Sequence, residues 1–228
     1  MILEHWSDYS NFFGNERVKA IFSHSSFDNE IGEIHQKFPR LLGLDPLKLI
    51  IPKQTHSTNI SIIGLPGFVN NLDGIFSSNS DLVCSIQVAD CLPIYFVHNY
   101  KSFAGLIHAG WKGLANGIIQ NIKSLLDQTN WDSSEFNILV GPSIHPCCFE
   151  IKDDVLEHFD LQFCRKKKSG RYAVDLQEWA VKQLIEIGAL KENITIIKEC
   201  TFCQDKKFHS YRRDGENSGR MLALIGWI

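Results

Sequence analysis

Short apolar runs separated by polar or glycine-containing stretches carry most of the structural signal in this chain. Residues 47–52 and 59–63 are rich in Ile and Leu and flank the polar word KQTHST. That order predicts strand, turn, strand, with His56 in the turn or at its edge. Asp73-Gly74 then precedes IFSS, and LVCSIQVADCLPIYFV forms a nearly continuous apolar run broken by Pro93. It predicts a buried strand ending near Asp90-Cys91 and a second over residues 94–97. FAGLIHAGWKG reads as a strand entering a glycine turn, and LANGIIQNIKSLLDQ places Ile118, Ile119, Ile122, Leu125 and Leu126 at helical spacing.

FNILVGPSI is a further buried strand. VDLQEWAVKQLIEIGAL puts Leu176, Trp179, Ala180, Gln183, Leu184 and Ile187 on one helical face, with Gly188 near its C-terminal end. The chain closes with the strand ITIIKE, a polar loop through Arg213 and Asp214, and the apolar strand MLALIGWI. Strands outnumber helices and most are apolar on both faces, which implies layered sheets covered by helices in an α/β or α+β arrangement.

The 228 residues suit one domain, or two tightly fused halves, able to bury roughly 70% of the surface the unfolded chain exposes. A 44% apolar and 21% charged composition is that of a globular protein rather than a disordered or fibrous one. The net charge of -3 gives no electrostatic reason for a nucleic-acid partner. Its exception, Arg165-Lys166-Lys167-Lys168, reads as a solvated loop. No stretch approaches the ~20 apolar residues of a membrane span. MILEHWSDYSNFF lacks a secretory pattern, so a cytoplasmic location is expected. Seven cysteines in such a chain argue against a disulfide framework.

Candidate chemistry gathers at predicted strand ends: His56 in QTHS, Cys91 in ADCLP and His108 in IHAGW. Cys-His-His is a plausible three-ligand zinc set that leaves a fourth tetrahedral position for water or substrate, which points to catalysis rather than scaffolding. Taken singly, each residue equally suits a structural role, because the separations match no compact zinc signature. CTFC, residues 200–203, has zinc-ribbon spacing but no second matching pair, so it reads as core or loop packing.

The motifs QTHS, DGIFSS, ADCLP, HAGWKG, GPSIHPCCFEI, CTF and FHSYRRDGENSGRMLALI resemble, in that order, those of the YfiH family. That family is also described as laccase-like, as a peptidoglycan editing factor and as purine nucleoside phosphorylase. The resemblance runs from about His56 to the C-terminus. It implies a single domain over residues 1–228, of α+β class, with two mixed sheets sandwiched between helical layers and likened to a deamidating toxin. It further implies Zn²⁺ held by His56, Cys91 and His108, and phosphorolysis of adenosine, inosine and S-methyl-5'-thioadenosine with adenosine deamination as a second activity. Copper is disfavoured, since three ligands cannot build the several copper centres of a laccase.

Around this set, Gly110 and Gly113 permit close backbone approach beside the helix that follows. Lys112 stands where many relatives carry Arg and supplies a point charge rather than a fork, or faces solvent. Arg212, Arg213 and Arg220 suit an anion clamp, although Arg212 or Arg213 can equally pair with Asp214. Asp90 is a candidate proton-handling or supporting group, and Asp73 reads as an Asp-Gly turn. Trp111 can stack on a purine or pack on the core, and Cys147 or Cys148 can approach the metal. The expected partners are purine nucleosides and phosphate, with neither nucleic acid nor membrane, for a monomer or weak homodimer. Two other readings stay open: a cysteine hydrolase with Cys91 as nucleophile and His108 as base, and a non-catalytic metal- or nucleoside-binding protein.

Overall fold

A computed structural model of the protein describes residues 5–27 and 31–227. The first four residues of MILEHWSDYSNFF and the last of MLALIGWI lie outside that range. The chain runs through β1 (Trp6–Asp8), β2 (Val18–Ser23), α1 (Ile31–Leu41), β3 (Leu49–Lys53), β4 (Ile60–Ile62), β5 (Gly67–Asn70), β6 (Gly74–Ser77), β7 (Val83–Val88), β8 (Leu92–His98) and β9 (Ala104–Ala109). It continues with α2 (Trp111–Ala115), α3 (Ile118–Gln128), β10 (Phe136–Val140), β11 (Glu150–Ile151), β12 (Cys164–Lys166), β13 (Tyr172–Val174), α4 (Leu176–Glu186), β14 (Ile194–Ile196), α5 (Tyr211–Asp214) and β15 (Met221–Trp227).

Two six-stranded sheets result, ordered β1-β2-β15-β7-β3-β5 and β14-β10-β8-β9-β6-β4, beside a small sheet β11-β13-β12. Both large sheets are mixed: β3 runs parallel to β5 and β7, and β10 parallel to β14, while β8 and β9 are antiparallel.

The strands are apolar on both faces because each face meets a different layer. In β15, Met221, Ala223 and Ile225 point between the sheets, where they join Tyr95, Val97, Leu106 and Leu139 of the second sheet. Leu222 and Leu224 point the other way, against Ile34 and Phe38 of α1. In β8 the alternation works likewise: Leu92, Ile94 and Phe96 face α3 and α4, and Tyr95 and Val97 face the first sheet. Each such side chain contributes about 1.5–3 kcal/mol on burial, and the period of two distributes that gain over three apolar layers. The architecture is therefore α+β, two mixed sheets between helical layers.

Several boundaries differ from the sequence reading. Pro93 lies inside β8, which begins at Leu92 rather than Ile94, and pairs with His108 of β9. The helix after His108 is two helices, parted at Gly117, whose φ of 90° favours glycine. Arg165 and Lys166 belong to β12 rather than to a loop, and Lys167 reaches Glu150 at 2.6 Å. Arg213 and Asp214 close a short helix, α5, not a loop. Helix α1 carries Pro39, which masks its pattern, yet Ile34 and Phe38 are fully buried beneath the first sheet.

Candidate metal centre and active site

Asp73 organises the site. It is fully buried immediately before β6, and its carboxylate accepts from three consecutive backbone N–H groups: Thr55 (3.2 Å), His56 (3.1 Å) and Ser57 (2.6 Å). The Ser57 hydroxyl adds a fourth bond at 2.7 Å. Three amides can converge on one carboxylate because His56 has a φ of 56°, a left-handed turn that curls the chain around the anion. The fifth donor is His108 Nδ1, 2.8 Å from Oδ1. Burial works against the charge, but the hydrogen bonds from His108 and Ser57 hold this carboxyl near a pKa of about 2.

An ionised carboxylate only accepts, so the shared proton sits on His108 Nδ1, and Nε2 is the nitrogen turned to the donor set, where a metal would take the place of its proton. His108 ends β9 and is 4% exposed. The His56 and His108 rings lie 4.8 Å apart between centroids, and His56 Nε2 is 3.9 Å from Cys91 Sγ. One donor atom from each of His56, Cys91 and His108 falls within 4.8 Å of the others. Burial pushes the Cys91 thiol up, but the charge and hydrogen bond of His108, helped by His56, bring it down to about 6. Burial conversely lowers His108, while the Cys91 thiolate and Asp73 lift it to about 9. The set therefore favours a thiolate, the form that binds metal or attacks as a nucleophile.

Gly110 explains one glycine of HAGWKG. A Cβ there would stand 2.9 Å from Cys91 Sγ and 3.3 Å from His56 Cδ2, so the backbone passes where no side chain fits. Gly113 has ordinary room and is not required in the same way.

The donor set opens into a cavity of about 1030 Å³, which also reaches Lys112, Trp111, Arg212 and Arg220. Phe68 and Tyr211, at 79% and 49% exposure, line the same cavity and offer aromatic faces that sequence reasoning did not single out. Trp111 both lines the cavity and stacks on Phe159 at 5.3 Å. Lys112 is exposed, its ammonium over Trp111. Arg212 is exposed at the cavity and anchored by Nη1 to the Glu150 carbonyl at 2.8 Å.

Asp90 borders the cavity but is taken up by its neighbours, and Arg213 does not line it. Asp90, buried and with a φ of 82°, accepts from Thr201 Oγ1 (2.6 Å), Ser210 Oγ (3.0 Å) and Arg212 N (2.7 Å). Its carboxylate is thus engaged in holding the 201–212 segment. Arg213 points away from the cavity, pairing with Asp214 at 2.9 Å and donating to the carbonyls of Thr201, Phe202 and Phe208. Cys147 and Cys148 do not join the His56 set; they meet Cys200 and Cys203 instead. All seven cysteines are free. No helix among the described residues is long and apolar enough to cross a membrane.

Fold and donor set define a class: a two-sheet sandwich between helices, with a carboxylate-oriented His-Cys-His cluster at the floor of a large cavity. The family described as multi-copper polyphenol oxidoreductase laccase matches residues 24–228, and the chain belongs to that family. Among curated relatives, the purine nucleoside phosphorylase YlmD of Geobacillus stearothermophilus is 34% identical over 69% of this chain and 61% of its own length, under two thirds of that protein. A purine nucleoside phosphorylase of Staphylococcus saprophyticus is 29% identical over 82% of this chain and 76% of its own. The crystal structure of YlmD from Geobacillus stearothermophilus superposes with a TM-score of 0.90 at 25% identity, covering 100% of this chain and 97% of that one. That of the Bacillus licheniformis hypothetical protein YfiH gives 0.85 at 24%, covering 92% and 93%, a likeness of fold.

Proposed function

We propose that the protein is a zinc-dependent purine nucleoside phosphorylase acting on adenosine, inosine and S-methyl-5'-thioadenosine, with adenosine deaminase activity at the same site. The observation that carries this reading is the Asp73-oriented set of His56, Cys91 and His108 opening into a cavity whose volume suits a nucleoside together with an anion. The names of the Geobacillus and Staphylococcus relatives, purine nucleoside phosphorylases, favour phosphorolysis of purine nucleosides as a class.

The donor set fits zinc: one thiolate and two imidazoles, with a position left open. When bound, zinc supplies Lewis acidity beside the reacting groups. Asp73 holds the proton on Nδ1 of His108, so that Nε2 is the nitrogen that would bind the metal on releasing its own proton. Lys112 and Arg212 bring positive charge to the cavity for phosphate oxygens, and Arg212 can offer a fork where Lys112 offers a point. Phe68, Tyr211 or Trp111 give the purine a flat apolar surface. Asp90, fully engaged by Thr201, Ser210 and Arg212, is a positioning residue that holds the turn bearing Cys91, not a proton shuttle.

A cysteine hydrolase is the second reading, favoured by the depressed Cys91 thiol beside a His108 held by a carboxylate. Chelation separates the two. Metal removal is expected to abolish nucleoside turnover and zinc to restore it; turnover that survives complete removal would contradict the zinc reading. Metal analysis of the purified protein should return zinc, and copper in its place would contradict it too.

A further inference from the structure

Four of the six thiols outside the His56 site form a second cluster that the sequence could not pair. CTFC supplies Cys200 and Cys203, and the missing second pair is the adjacent Cys147 and Cys148. All four sulfurs lie within 4.8 Å of one another, with Cys203 Sγ 3.7 Å from Cys147 Sγ and 3.2 Å from Cys148 Sγ. A tetrahedral tetrathiolate with metal–sulfur bonds of ~2.3 Å has sulfur–sulfur edges of about 3.8 Å, which the Cys147–Cys203 edge of 3.7 Å matches, while the Cys148–Cys203 edge of 3.2 Å would open by about 0.6 Å around an ion. Adjacent side chains would diverge in a strand, but here they sit in a turn, where the amides of Cys148 and Phe149 both bond to the His145 carbonyl at 2.9 and 2.8 Å.

The surroundings act unequally on the sulfurs: burial pushes the Cys147 and Cys148 thiols up, while donors gather at Cys200. Backbone N–H groups of His145 and Cys203 donate to the Cys200 sulfur. The Arg213 guanidinium, bonded to the carbonyls of Thr201 and Phe202, places a cation on the turn between Cys200 and Cys203. Such N–H contacts and a nearby positive charge offset the excess negative charge of four sulfurs on a divalent ion.

We propose that Cys147, Cys148, Cys200 and Cys203 form a closed, four-thiolate structural zinc site. Four protein ligands leave no open position, so the ion ties two loops together instead of reacting. One loop carries Ile144, whose amide bonds to the Asp90 carbonyl at 2.9 Å. The other carries Thr201, whose hydroxyl bonds to the Asp90 carboxylate at 2.6 Å. The clamp therefore lies directly behind the turn that presents Cys91. The assignment is independent of the nucleoside reading.

Zinc and iron per chain, measured in reduced, zinc-supplemented protein, test it. Wild type should hold two zinc ions. A His56→Ala/Cys91→Ala variant should keep one, with X-ray absorption showing four sulfurs at about 2.3 Å. Cys200→Ser/Cys203→Ser should lose one ion and unfold at a lower temperature that added zinc does not restore. If that variant does not fold, the His56→Ala/Cys91→Ala measurement still decides. A metal-free His56→Ala/Cys91→Ala protein, iron in place of zinc, or a Cys148–Cys203 disulfide in the reduced preparation would each overturn the proposal.

Discussion

Asp73→Asn separates orientation of the ligands from their identity, because it changes no proposed ligand and nearly no volume. The wild-type carboxylate accepts five hydrogen bonds: two on Oδ1, from His56 N and His108 Nδ1, and three on Oδ2, from Thr55 N, Ser57 N and the Ser57 hydroxyl. An amide keeps one acceptor oxygen and turns the other position into a donor. With the NH₂ toward Thr55 and Ser57, two part-buried backbone donors face a donor, at about 1–2 kcal/mol each. With the NH₂ toward His108, Nδ1 must accept, which moves the imidazole proton to Nε2 and blocks the metal-facing lone pair. Either orientation is damaging. We predict a loss of about 2–4 kcal/mol in metal-free stability, or a 10- to 100-fold loss of zinc affinity at the His56 site, worth about 1.4–2.7 kcal/mol. Urea unfolding of chelated protein reads the first, and competition with a chromophoric chelator the second. Wild-type values in both assays would refute the role given to Asp73.

Other outcomes follow from the same geometry. The Asp73 carboxyl falls from an unfolded value of 3.8 to about 2 in the fold, so it contributes stability above pH ~3.8, about 2 kcal/mol, lost as pH falls through about 2. The acid-unfolding profile of chelated Asp73→Asn should lack that dependence, and an unchanged slope would contradict the assignment. Gly110→Ala should displace Cys91 and His56 and cut zinc content and turnover while barely moving the urea midpoint, since its φ of -76° suits any residue; full zinc occupancy would count against the close-approach reading. Arg212→Ala should raise the KM for phosphate with little change in stability. Arg213→Ala should instead lower stability by about 1–3 kcal/mol, because three carbonyls lose their donor. Steady-state kinetics and thermal unfolding of the two variants would sink this division if the effects came out reversed.

Much of the fold is legible in the sequence because burial on both faces leaves a local mark. The strands from Val83 to Ala109 and the helices at Ile118 and Leu176 are apolar runs or apolar stripes in the chain itself. Helix α1 is not legible in the same way, since Pro39 interrupts the pattern and only Ile34 and Phe38 need be apolar to cover the first sheet. The small sheet is hidden by charge: β12 is Cys-Arg-Lys, an exposed strand whose side chains carry no hydrophobic signal.

In the site, His56, Cys91 and His108 are marked by their motifs, but their support is not. Asp73 looks like a turn residue because Asp-Gly is a common turn word, and only the tertiary contact shows that three amides and His108 converge on it. Asp90 and Arg213 looked equally able to act on substrate; Asp90 borders the cavity but is taken up by Thr201, Ser210 and the Arg212 amide, and Arg213 is turned to the carbonyls of Thr201, Phe202 and Phe208. Fifty-odd residues separate the two cysteine pairs, and no spacing rule joins an adjacent pair to a CxxC across that distance.

The most direct test of the functional claim is chromatography of adenosine incubated with zinc-loaded protein, with and without phosphate, alongside Cys91→Ala. Adenine released only when phosphate is present, and lost in the variant, is the predicted result. No phosphate-dependent base release from adenosine, inosine or S-methyl-5'-thioadenosine by zinc-loaded wild type would contradict it.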